Sequence, residues 1–315
     1  MMTNDIPKRK DGGIKWNFRP VNADELEACL KDPLWRVCSG VLYKIIIKGD
    51  DGQDGLVINF KPNRSQRRLL ANLWHRNVIL KARQLGFTTL ICILWLDTAL
   101  FSENVRCGII AQDREAAEVI FRDKVKFAYE NLPENLKSAM PLARDSASEL
   151  LFAHNNSSIR VATSMRSGTI HRLHISEFGK ICAKYPEKAK EVVTGSIPAV
   201  PKNGILIIES TAEGREGEFY DITMRAKSAK DTAKELTVRD YRFHFFAWWD
   251  ANEYEMPADS VKLTDKDNLY FERIESQIGQ PISPEKRAWY VATRDADFSG
   301  SEEKMWQEYP STPEE

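Results

Sequence analysis

Five short apolar runs recur through the middle of the chain: "NVILKA" (77–82), "RCGIIAQ" (106–112), "SSIRVAT" (157–163), "RLHISE" (172–177) and "GILIIES" (204–210). A helix or long loop separates each from the next. Strands that are apolar on both sides need cover on both faces, which parallel sheets obtain from their crossover helices. The pattern therefore predicts a doubly wound α/β fold, a mostly parallel sheet with helices on both faces, with helices over 88–101, 113–131 and 186–195.

Upstream, "GVLYKIIIKG" and "GLVINFKPN" flank "DDGQD", a turn of hairpin type. "SQRRLLANLWHR" has the helical spacing of Leu69, Leu70, Leu73 and Trp74. Residues 1–35 read as a loosely ordered N-terminal arm ending in the short helix "ADELEACLKD", residues 36–235 as the core, and residues 236–315 as a lid and linker subdomain with two further helices. The closing "WQEYPSTPEE" is polar and suits a linker.

Composition narrows the function classes. A net charge of −1 is not that of a basic nucleic-acid-coating protein. No run approaches the roughly 18 apolar residues of a membrane span, and "MMTNDIPKRKDGG" lacks the apolar stretch of a secretory signal, so a cytoplasmic location is expected. Five scattered cysteines without a Cys-x-x-Cys pair suit buried free thiols rather than zinc. The histidines have no metal-binding spacing, and His171 and His174 are expected in packing roles.

Four stretches carry candidate chemistry. "KARQLGFT" runs from strand into apolar helix, as a phosphate-binding loop does. Against the pattern G-x-x-x-x-G-K-[ST], Gly86 and Thr88 match, Lys81 stands at the first glycine, and Phe87 at the lysine. Gln84, Leu85 and Thr89 complete the loop. Taken alone, it fits a plain strand-to-helix turn as well as a phosphate cradle. Cations at Lys81 and Arg83, next to the apolar Val78–Leu80, favour the cradle, with either cation able to reach the β- and γ-phosphates. "RLHISEFGK" ends an apolar strand in Ser176 and Glu177, suited to holding a metal through water and to deprotonating an attacking water. "GILIIESTAEG" ends a strand in Ser210 and Thr211, whose hydroxyls either sense a γ-phosphate or cap a following helix, and Ala212 completes the coupling segment. Gln66 has the donor and acceptor to read adenine, and Arg166 lies on a Ser/Gly loop, where it is either a surface residue or a finger for a neighbour's phosphates.

In this order, Gln66, "KARQLGFT", "LHISE" and "IIESTAEG" resemble the ATPase domain of tailed-phage large terminase subunits, over roughly residues 40–315. That family has a deviant phosphate loop of the form K-x-R-Q-x-G-x-[ST]-T, matched by Lys81, Arg83, Gln84, Gly86, Thr88 and Thr89. The resemblance implies a P-loop fold of the ASCE, RecA-like kind and Mg·ATP hydrolysis coupled to translocation of double-stranded DNA. It also implies a pentameric ring docked on the portal protein of a procapsid in the host cytoplasm, a small terminase subunit as partner, and Arg166 as a trans-acting finger. Ser176 stands where the family more usually has Asp, leaving direct Mg²⁺ contact to Thr88. The family's nuclease domain would follow residue 315, so nuclease activity is not expected of these residues. Two other classes compete. A two-lobe helicase needs a second RecA-like lobe, for which residues 230–315 are too short. A nucleotide-sensing assembly module without useful hydrolysis would tolerate Phe87 and Ser176.

Overall fold

The computed structural model describes residues 6–47, 55–166 and 168–315. In chain order the elements begin α1 (Ala23–Lys31), α2 (Pro33–Cys38), β1 (Lys44–Ile47), β2 (Leu56–Asn59), α3 (Arg64–Ala71), β3 (Arg76–Lys81) and α4 (Phe87–Phe101). Then come β4 (Arg106–Ile110), α5 (Arg114–Ile120), a π-helical turn (Phe121–Lys126), α6 (Phe127–Glu130), α7 (Glu134–Ala139), β5 (Leu142–Asp145), β6 (Glu149–Phe152) and β7 (Ser158–Ala162). The rest are β8 (Arg172–Ser176), α8 (Phe178–Lys184), α9 (Pro186–Glu191), β9 (Ile205–Ser210), α10 (Gly217–Asp231), β10 (Tyr241–Phe246), α11 (Asp265–Ile278), α12 (Pro284–Asp297) and α13 (Glu302–Glu308). The fold is α/β with a mostly parallel sheet, and all five apolar runs are strands of it.

The chain divides into two compact units, one holding residues 1–63, 86–174 and 195–204, the other residues 64–85, 175–194 and 205–315. In the first, the strand order is β8-β4-β7-β6-β5, counting β8 as far as His174. β4 and β7 are parallel, whereas β7, β6 and β5 run antiparallel. The four-residue β5, "LARD", and β6, "ELLF", are too short to stand out as apolar runs and lie outside the sequence-based expectation. β1 and β2 form the expected antiparallel pair; the "DDGQD" turn lies outside the described residues. α4, "FTTLICILWLDTALF", is apolar on nearly every face and correspondingly buried. Its one acid, Asp97, is buried and satisfied by Arg36 Nη2 at 2.7 Å and the Tyr43 hydroxyl at 2.7 Å.

From residue 6 on, the N-terminal segment, read from its polarity as loosely ordered, is packed. Ile14, Cys29 and Trp35 make a small core, and Asp32 accepts from Leu34 N, Trp35 N and Ile14 N while pairing with Arg9 at 3.0 Å. One carboxylate thus caps α2 and fastens the backbone at Ile14. The described cysteines are free thiols as expected, with Cys29, Cys38, Cys92 and Cys107 buried and Cys182 half-buried.

In the second unit the order is β10-β3-β9, with the last residues of β8 beyond β9. β10 pairs in parallel with β3, from Tyr241 opposite Arg76 to Phe246 opposite Lys81. Its sequence, "YRFHFF", is aromatic and charged, which hid a sheet strand inside the segment read as lid. The polar "STPEE" end is seated: Trp248 Nε1 donates to Ser311 Oγ, and Trp249 Nε1 to the Ser311 carbonyl, each at 2.8 Å. A buried and a half-buried indole find their acceptors there.

β10 also carries a titratable core group. His244 is buried, its Nε2 is 3.0 Å from Asn77 Oδ1, and burial followed by Arg242, Lys230 and Arg68 pushes its pKa down to about 3. Unfolded, it titrates near ~6.5. The unfolded chain therefore binds the extra proton between these values, and stability present above ~6.5 is lost as pH falls toward the folded value. The unfolding free energy from urea titrations should drop on acidification through this window, by up to about 1.4 kcal/mol per pH unit from this site. His244→Gln should flatten that part of the slope.

Candidate active site

β3, β9 and β8 end in charge. Val78, Ile79 and Leu80 are buried in β3, yet the next residue, Lys81, is also buried, its ammonium 3.1 Å from Glu177 Oε1 and 3.2 Å from Glu209 Oε2. Burial alone lowers the Lys81 pKa, but Glu209 and then Glu177 outweigh it and hold it above lysine's ordinary range. Glu209 is fully buried at the end of β9, and Ser176, the last residue of β8, donates to its Oε1 at 2.8 Å. The two carboxylates differ in setting. Glu209 is locked in the interior, while the Glu177 side chain keeps 25% exposure and has Lys180 at 3.5 Å on its other oxygen.

Glu177 is the first residue after β8, and its backbone is left-handed, φ 54° and ψ 48°. A non-glycine residue there costs on the order of 1–2 kcal/mol. The following α8 begins at Phe178, and Gly179 explains how closely it approaches β9. A Cβ at Gly179 would stand 2.8 Å from Ser210 Oγ and 3.0 Å from the Thr211 carbonyl. The hydroxyls of Ser210 and Thr211 are buried and without a hydrogen-bond partner, an arrangement proteins rarely leave unexplained. Ala212 follows, half-buried.

The loop after β3 is braced from the C-terminal side. Ala82 N donates to the Phe246 carbonyl at 2.8 Å, and Arg83 N to the Glu308 carbonyl at 2.9 Å. The Tyr254 hydroxyl donates to the Arg83 carbonyl, and the exposed Arg83 guanidinium lies 3.6 Å from the Glu308 carboxylate. Gln84 is left-handed and exposed, and Leu85 is buried. Gly86 (φ 72°) is the N-cap of α4, without a side-chain cap and with no acid in the helix's first turn. Phe87 is buried, and Thr88 and Thr89 are half-buried in that turn. Gln66 is buried in α3. Arg166 is exposed on the loop between β7 and β8, and Ser196 Oγ holds that loop by donating to the Met165 carbonyl at 2.6 Å.

Sequence reading singled out Lys81, Ser176 and Glu177, and the structure brings these three together. It missed Glu209 as a site residue, although the signal was the one used for Glu177, a carboxylate closing an apolar strand. Lys180 and Glu308 had no comparable signal, being ordinary charged helix residues in the sequence.

No family model and no curated protein matches this sequence. Among solved structures, the chain is similar to the large terminase ATPase domain of Thermus phage P74-26, with a TM-score of 0.51 and 17% identity over 80% of this chain and 94% of that one. A variant of that domain gives a TM-score of 0.50 at 19% identity over the same shares. The large terminase of bacteriophage HK97 gives 0.54 at 16% identity, over 87% of this chain and 54% of its own, so this chain spans about half the HK97 protein. The resemblance drawn from the motifs thus has a counterpart in three dimensions: the chain has the fold of phage large terminase ATPase domains.

Proposed function

We propose that this chain is the ATP-hydrolysing motor domain of a viral DNA-packaging terminase, coupling Mg·ATP hydrolysis to translocation of double-stranded DNA into a procapsid. The observation that carries the reading is the Lys81–Glu177 pair at the ends of two buried strands, with Glu177 held in left-handed backbone. A lysine and a carboxylate so placed serve, respectively, a nucleotide's terminal phosphates and its attacking water.

The residues fit such a ligand. Lys81 has a second carboxylate, Glu209, so it can leave Glu177 for a phosphate oxygen without stranding a buried charge. The freed Glu177 carboxylate then takes a proton from water as the water oxygen bonds to the γ-phosphorus and the bond to ADP breaks. Bound Mg²⁺ would supply neutralisation of the β- and γ-phosphate charge, held by the Thr88 hydroxyl directly and by Ser176 through water. Among the described residues no three His, Cys, Asp or Glu side chains form a metal cage, and magnesium in nucleotide sites needs only one or two protein ligands besides phosphate. Gln66 would read adenine, Arg83 would add charge from the loop, and Gln84 to Phe87 would line it.

Ser210, Thr211 and Ala212 would couple hydrolysis to motion. The two unpartnered hydroxyls gain a partner when the nucleotide or its attacking water arrives, and Gly179 lets α8, which follows Glu177, ride on that strand end. Arg166 would act on a neighbour's nucleotide, in a pentameric ring on the portal with a small terminase subunit choosing the DNA, in the host cytoplasm. No helix among the described residues is long and apolar enough to cross a membrane.

The test is phosphate release by the purified chain with Mg²⁺ and ATP. Turnover per chain should rise with protein concentration, and Arg166→Ala should remove that rise. No release at any concentration, with DNA and portal present, would refute the reading.

A further inference from the structure

β10 closes one edge of the sheet, and its open side lies in a groove of 640 Å³ between α3 and α10. Hydrogen bonds show which backbone groups face that groove. Ala82 N, just past β3, donates to the Phe246 carbonyl, so the even-numbered residues of β10 turn their N–H and C=O groups toward β3. Those of Tyr241, Phe243 and Phe245 then point outward. Arg68 agrees with this alternation, its Nη2 donating to the Phe245 carbonyl at 2.6 Å from the open side.

Arg68 blocks that one carbonyl. Among the described residues, no strand or side chain meets the N–H and C=O of Phe243 or the N–H of Phe245 on the open side. A sheet edge with unpaired donors and acceptors in alternation is a template for another strand.

The flanks of the edge carry charge without a counter-charge. Lys230, exposed on α10, holds its ammonium 5.5 Å from the centre of the Phe243 ring, and the half-buried Arg242 holds its guanidinium 4.8 Å from the centre of the Trp74 ring. The cations around them have acids: Lys234 pairs with Asp240, and Arg64 and Arg68 share Asp250. Among the described residues Lys230 and Arg242 pair with no carboxylate, and Arg242 commits one donor to the Asn72 carbonyl at 3.1 Å. Their charge is felt inside the sheet, where after burial it helps to keep His244 neutral.

Arg242 and Phe243 are neighbours in a strand and project to opposite faces. Lys230, packed on Phe243, therefore flanks the edge on one face and Arg242 on the other. A strand laid along this edge would send successive side chains to the same two faces, so two adjacent acids would meet one cation each. A phosphate backbone fits less well. It accepts from the cations and the N–H groups but offers no donor to the Phe243 carbonyl.

We propose that the open edge of β10 is a docking site for an extended acidic segment of a partner protein, which adds as a further strand and places two neighbouring carboxylates on Lys230 and Arg242. The site lies wholly within the second unit and does not rest on the nucleotide reading.

Binding of short fluorescein-labelled peptides to the 315-residue chain, followed by anisotropy, tests this. A peptide of β-branched residues with two adjacent central glutamates should bind, and its counterpart with two lysines should not. Methylating every second backbone nitrogen of the acidic peptide should abolish binding in one phase and leave it within about threefold in the other, because only alternate N–H groups of an added strand face the edge. Lys230→Gln and Arg242→Gln should each weaken the acidic peptide by about threefold to fivefold, the worth of a partly exposed ion pair, with urea midpoints close to the parent's. Equal losses in both methylation phases, or no binding of the acidic peptide, would overturn the proposal. So would single-stranded DNA that displaces the peptide and binds more tightly, or a chain that dimerises by itself and is dispersed by the peptide, since either gives the groove another occupant.

Discussion

Lys81→Ala is expected to lose about 3–5 kcal/mol of folding stability together with nearly all ATP turnover. The stability loss follows from burial: Glu209 is fully enclosed, and without the ammonium 3.2 Å away its carboxylate loses its counter-charge. Removing one member of a buried pair leaves the other charge desolvated, which costs far more than the pair itself contributes. The discriminating measurement is a double-mutant cycle by urea denaturation. Lys81→Met combined with Glu209→Gln should recover most of the lost stability, because a neutral amide replaces the stranded carboxylate. Turnover should not recover with it, falling on the order of 10²-fold or more for want of the phosphate-facing charge. A Lys81→Ala protein with the parent's urea midpoint would contradict the energetic reading, and one with the parent's turnover the catalytic reading.

The contrast between what the sequence disclosed and what it concealed has a physical basis. β3, β4, β7, β8 and β9 were legible because a strand covered on both faces needs consecutive apolar residues, and few other elements do. β10 was not, because "YRFHFF" mixes Arg242 and His244 into an aromatic run and its partner is visible only through the register with β3. The packed N-terminal segment escaped because a single carboxylate, Asp32, gathers backbone donors from three residues, an economy that leaves no mark on composition.

Within the site, strand-ending charges at Lys81 and Glu177 were legible one at a time. Their convergence was not, since 96 residues separate them and the strand between them, β9, comes later in the chain than both. Burial likewise distinguishes Lys81 from Arg83 in a way the sequence does not: both are cations beside an apolar strand, but one is enclosed by two acids and the other is exposed beside Glu308. A π turn is harder still to foresee, because it shifts helical phase by one residue and resembles imperfect periodicity.

Glu177→Gln should separate chemistry from binding. The amide keeps the length of the side chain and the left-handed backbone, and Lys81 retains Glu209, so stability should change by less than about 1 kcal/mol. What disappears is the proton acceptor, for which general-base catalysis accounts for about 10²–10⁴-fold in rate. Nucleotide affinity should hold or rise, because Lys81 no longer has to leave Glu177 to meet a phosphate. Single-turnover measurements with Mg·ATP would therefore show a filled site and a stalled chemical step. If instead Glu177→Gln turned over normally, Glu177 would be a partner that merely stores Lys81, and the water-activating group would have to be sought among the other acids nearby, beginning with Glu213, whose pKa burial raises.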